Sequence, residues 1–141
     1  MYDIQWEKVF EIGVDCIDNE HREMIRIVNK MKKACEQQNY SECHQIASRL
    51  VRYSIGHFQH EEDYLEKVGF PRLNSHKKYH NELLQEVDTI RKNCTDLSVG
   101  HSVQECLDSM EQLIIDDILT GDNDFVSFLE YNGYASPKVF R

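Results

Sequence analysis

A chain of 141 residues with 40% hydrophobic and 29% charged side chains fits one globular domain that can bury a core without disulfide staples. Its formal charge of −9, from 25 acidic against 16 basic residues, argues against non-specific nucleic-acid binding, which needs a basic face. No apolar run is long enough to span a membrane, and the start, Met1-Tyr2-Asp3-Ile4-Gln5-Trp6, lacks the basic and apolar segments of a signal peptide. The five cysteines form no Cys-x-x-Cys pair, so a cytoplasmic protein with reduced thiols is expected.

With two prolines and six glycines, the chain has room for long helices. From 17 to about 38, Ile17, Met24, Ile25, Ile27, Val28 and Met31 recur with helical spacing. A second helix is expected from Ser41, a candidate N-cap, to Lys67. Its apolar side carries Ile46, Leu50, Val51, Ile55, Phe58 and Leu65, and Gly69 ends it. Pro71 opens a third, which runs to about Asn93 with Leu83, Leu84, Val87 and Ile90 on its core face. A linker at 95–100 follows. Ser102-Val103-Gln104-Glu105 then reads as a capping box, starting a fourth helix through Leu107, Met110, Leu113, Ile114, Ile115 and Ile118. Four helices of about 20 residues, roughly 30 Å each, joined by short links predict an all-α, up-down-up-down four-helix bundle. The single domain divides into an arm at 1–16, the bundle at 17–121 and a tail at 122–141, whose Phe125, Phe128, Leu129, Tyr131 and Tyr134 are expected to pack across the bundle's end.

The chemistry sits in the histidines and in a few acids. His57 and Glu61 are four apart on the second helix, and His76 and His80 are four apart on the third, so each pair shares one helix face. His21 lies near the start of the first helix, and Asp117 and Asp122 lie near the end of the fourth. In this topology those four places meet at one end of the bundle. Burying so many ionisable groups is costly without a cation to pair with them. Imidazole and carboxylate together suit iron, manganese or zinc, and the lack of clustered thiolates argues against an iron–sulfur cluster or a Cys-rich zinc site. His44, His60 and His101 are read as solvated.

These segments resemble the hemerythrin family, bacterial hemerythrins included, from Trp6 to about Gly133. Ile12-Gly13-Val14-Asp15-Cys16-Ile17-Asp18-Asn19-Glu20-His21 is similar to the family's opening signature. Tyr53-Ser54-Ile55-Gly56-His57-Phe58-Gln59-His60-Glu61-Glu62 is similar to its His-Phe-x-x-Glu-Glu segment, and His76-Lys77-Lys78-Tyr79-His80 to its His-x-x-x-His. The resemblance implies two irons, one held by His21 and His57, the other by His76 and His80. Glu61 and Asp122 would bridge them with a solvent oxygen, and O2 would bind at the open iron position.

One departure matters. The family's last motif, His-Ile-x-x-x-Asp, here reads Asp117-Ile118-Leu119-Thr120-Gly121-Asp122, so Asp117 stands where a fifth ligand His is expected and should face the iron of His76 and His80. Five residues turn an α-helix by about 500°, so a bulge or fraying near Gly121 is needed to aim Asp122 inward, with Asp124 as a weaker substitute. An extra carboxylate favours ferric over ferrous iron. The resemblance implies O2 binding for storage, delivery or sensing; the alternative, which the extra carboxylate of Asp117 favours, is a diiron oxidase or peroxidase acting on O2, peroxide or nitric oxide.

Overall fold

The period read from the sequence sets the first long helix. In the computed structural model, which describes residues 3–93 and 102–135, α1 runs Asp15–Glu36 and buries Ile17, His21, Met24, Ile25, Val28 and Met31 along one side. Asp18 fixes its start: its carboxylate accepts the backbone N–H of Ile12 at 2.7 Å and of Gly13 at 3.1 Å. This holds the arm, and a 3-10 turn over Lys8–Phe10 lays Phe10 onto the bundle.

The second helix, α2, spans Tyr40–Lys67, and its cap is Asn39 rather than Ser41. The Asn39 side chain accepts the backbone N–H of Glu42 at 3.3 Å, a role Asn fills as well as Ser, so the cap lies two residues earlier than the sequence suggested. Gly69 ends it as expected. At φ 76° it places its own N–H on Glu66 and the N–H of Phe70 on the Leu65 carbonyl, which occupies carbonyls the helix end leaves open. The chain then needs Pro71 and Arg72 to reverse direction. The third helix, α3, therefore runs Leu73–Asn93 instead of opening at Pro71.

The fourth helix comes in two pieces. The first, α4, covers Ser102–Asp116; one π turn over Asp117–Gly121 follows, and α5 continues over Asn123–Tyr131. The linker at 95–100, His101, the side chain of Ser102 and the tail beyond Ala135 lie outside what is described. Each of α1 and α3 packs against both α2 and α4, the cyclic neighbour pattern of an up-down-up-down four-helix bundle. Among the described residues, no helix is long and apolar enough to cross a membrane.

The core is divided in two. A large apolar cluster includes Met24, Val28, Met31, Leu50, Phe58, Leu83, Met110, Ile114 and Ile118. A smaller one at the opposite side of the charged layer joins Ile12, Ile17, Leu65, Phe70, Phe125, Val126 and Leu129. The tail thus packs partly as expected: Phe125 and Leu129 are buried, whereas Tyr131 is 91% and Tyr134 48% exposed. Along every helix the order is the same. Ile17, His21, Met24 on α1 and Leu73, His76, His80, Leu83 on α3 pass from the small cluster through a polar layer to the large one.

Candidate metal centre

The polar layer holds all seven residues singled out in the sequence. His21, His57, Glu61, His76, His80, Asp117 and Asp122 are each at most 2% exposed. They gather in two groups whose ligand atoms lie within 4.8 Å of one another: His21, His57, Asp117 and Asp122; and Glu61, His76, His80 and Asp122.

Glu61 lies between the two histidine pairs. Its Oε1 is 2.7 Å from His76 Nε2 and 3.1 Å from His80 Nε2; its Oε2 is 3.5 Å from His57 Nε2 and 3.9 Å from His21 Nε2. Asp122 repeats the pattern more loosely, with Oδ2 2.9 Å from His21 Nε2 and Oδ1 3.8 Å from His76 Nε2. Two carboxylates each turn one oxygen toward each histidine pair. Asp122 reaches this place because of the π turn. Its N–H donates to the Asp117 carbonyl at 3.0 Å, five residues back, which takes up the extra residue that an α-helix would have turned away.

Asp117 lies in the layer: its oxygen gathers with His21, His57 and Asp122, and it also interacts with His80, one of the pair the resemblance assigns to it. Asp124, the substitute candidate, is not in either group: it is partly exposed, with Oδ1 2.7 Å from Arg72 and Oδ2 3.9 Å from His76 Nδ1.

Two further acids, not singled out in the sequence, brace the histidines. His57 Nδ1 donates to Glu20 at 3.1 Å, and His80 Nδ1 donates to Glu62 at 2.7 Å. Each contact fixes the tautomer and leaves Nε2 for the interior. Glu20 also accepts from His60 at 2.7 Å, so His60, read as solvated, is exposed but paired. His44 is half-buried rather than solvated. The signal for Glu20 and Glu62 is their place next to His21 and Glu61, but which histidine each meets depends on how the helices cross. Phe58 stacks on His80 with centroids 4.0 Å apart, and Phe125 meets His76 edge-on at 5.2 Å.

The electrostatics are those of a site built around positive charge. Burial holds His21 and His57 below the usual imidazole range, so both are neutral donors. Burial alone would raise the Glu61 carboxyl, but the hydrogen bond from His76 and the close His80 imidazole outweigh it and hold it well below the usual range. Asp117 and Asp122 are pushed well up by burial and then by neighbouring carboxylates, Asp122 and Glu61 for the first and Glu61 for the second. Glu61 Oε2, His80 Nε2 and both oxygens of Asp117 and of Asp122 are buried without a hydrogen-bond partner. Orphaned acceptors and crowded acids cost several kcal/mol in such a core, on the order of the penalty for a buried unpaired ion, and a cation among them removes that cost. Four imidazole nitrogens with three carboxylates fit iron.

Residues 12–129 match the family model described as the hemerythrin HHE cation binding domain. The chain is 33% identical over 125 residues to the bacteriohemerythrin of Clostridium acetobutylicum, an alignment covering 86% of this chain and 97% of that protein. It is 25% identical over 118 residues to the bacteriohemerythrin of Stenotrophomonas maltophilia, covering 84% of this chain and 75% of that one. It is 25% identical over 99 residues to the myohemerythrin of Riftia pachyptila, covering 70% and 78% respectively.

Proposed function

This chain belongs to the hemerythrin family, and we propose that it is a non-haem diiron protein that binds O2 for storage, delivery or sensing. The observation that carries this reading is the division of Glu61, one oxygen toward His21 and His57 and the other toward His76 and His80. In this reading His21 and His57 hold one iron, His76 and His80 the other, Glu61 and Asp122 serve both, and Asp117 completes the first group. A ferrous pair held by these residues would supply the electrons that reversible O2 binding requires.

The protein's own residues do the rest. Glu20 and Glu62 keep the Nδ1 protons of His57 and His80 and so hold Nε2 inward. Phe58, Phe125 and the two apolar clusters exclude bulk water from the layer. The whole chain is proposed to act as one domain in the cytoplasm, with a small diatomic or peroxide ligand and neither nucleic acid nor membrane as partner. The test is optical. Iron-loaded protein is reduced under argon and exposed to O2; a visible spectral change that reverses when argon returns supports binding, and a single irreversible oxidation rejects it.

A second reading, a diiron oxidase or peroxidase acting on O2, peroxide or nitric oxide, is favoured by Asp117. It is fully buried in the layer, where, ionised beside a cation, it would add negative charge in place of a neutral imidazole. Under that reading Asp117→His lengthens the life of the O2-exposed ferrous protein, and equal lifetimes in both proteins reject it.

A further inference from the structure

Tyr79 sits on α3 between His76 and His80, and its half-buried ring lies across the π turn of the fourth helix. The contact is with Gly121. A methyl group built on Gly121 would stand 2.5 Å from Tyr79 Oη, 2.6 Å from Cε2 and 2.7 Å from Cζ. Real carbon atoms do not approach so closely, so the last position of the π turn is glycine for space. Only a bare backbone lets the Tyr79 ring pass.

The passage delivers the phenol to Asp117. The hydroxyl stands at that turn, beside the Asp117 carboxylate. Yet neither Asp117 oxygen has a formed hydrogen bond, and both are buried. His57 and His80 each have an outer carboxylate that fixes their orientation; Asp117 has no carboxylate brace of that kind among these contacts, only a phenol beside it. A carboxylate in place of an imidazole presents two equivalent oxygens, so an outer donor is what selects the one turned inward.

We infer that Tyr79 is a positioning residue for Asp117: its phenol O–H turns to one carboxylate oxygen and leaves the other for the metal, with Gly121 as the gap that admits the ring. The three residues form one unit, and the inference rests on the diiron reading. Tyr79 acts through Asp117 and does not touch the metal.

The test uses the full chain loaded with Co(II), which reports its coordination in the visible spectrum. Melting curves of the apo proteins establish that each variant is folded. Tyr79→Phe keeps the ring and removes only the hydroxyl. It is expected to weaken one of two Co(II) sites by about 10–100-fold, the usual effect of losing an outer partner, and to alter the spectrum of that site. Gly121→Ala displaces the ring and moves both readouts the same way. In an Asp117→Ala background, Tyr79→Phe should change neither, because the two residues act as a pair.

Two Co(II) sites in the wild type with an unchanged affinity and spectrum in Tyr79→Phe would overturn this inference alone. So would an effect of Tyr79→Phe that persists without Asp117, or a phenolate-to-Fe(III) charge-transfer band in the oxidised iron protein, which would make Tyr79 a ligand. A wild-type chain that takes up no Co(II) would overturn the diiron reading and this inference with it.

Discussion

The backbone N–H of Asp122 donates to the carbonyl of Asp117 at 3.0 Å, one residue further than an α-helix allows. The π turn between them holds two acids five apart on the same inner layer. It absorbs one residue without changing the face presented on either side. Thr120 is exposed within it, so its deletion should close the turn to α and leave both acids inward. Inserting an alanine after Thr120 should instead rotate Asp122 by about 100° away from the site. Metal titration of both variants checks this: substantial binding is expected to survive the deletion, and the insertion is expected to lose at least one ion.

Glu20 and Glu62 act at a distance of one side chain. Glu20→Ala should leave His57 Nδ1 without its acceptor, and Glu62→Ala should do the same to His80. Each is expected to lower metal affinity by about 10–100-fold, on different ions. Competition with a chelator of known affinity measures it. Glu20→Ala should also leave His60 without its partner, at little cost, because His60 is on the surface.

The helices were legible because Met24, Val28 and Met31 on α1, and Leu83 and Val87 on α3, repeat with a single period that only burial on one side explains. The level at which His21, His57, Glu61, His76, His80 and Asp122 gather was legible from topology: antiparallel helices of matched length bring those places to one end. Even the π turn was legible, as a conflict between a spacing of five and the need for Asp122 to face inward. What was not legible depends on how helices cross. Glu20 meets His57 across two helices, and Tyr79 meets Gly121 across two others. Neither contact leaves a trace in the period of one helix. Asn39 was passed over for Ser41 because both cap well and only the turn at Gln38, at φ 57°, decides between them.

Stability should follow the metal. Without a cation, Asp117 and Asp122 lie buried beside Glu61 with no hydrogen-bond partner. Ligand present at a hundred times its dissociation constant stabilises a fold by about 2.7 kcal/mol per site, so two ions should move the melting temperature by roughly 10 °C or more. Scanning calorimetry before and after chelation reads the shift. The apo bundle is expected to stay helical, since both apolar clusters remain. Superimposed melting curves would mean that the polar layer needs no ion.

The direct test of the central claim is a count of metal per chain, by elemental mass spectrometry on protein expressed with ample iron, with Glu61→Ala measured alongside. The account predicts two ions per chain, mainly iron, in the wild type and a clear loss in the variant, because Glu61 is the more closely held of the two carboxylates divided between the histidine pairs and would serve both ions. A count near zero in the wild type, or two ions retained without Glu61, would contradict it.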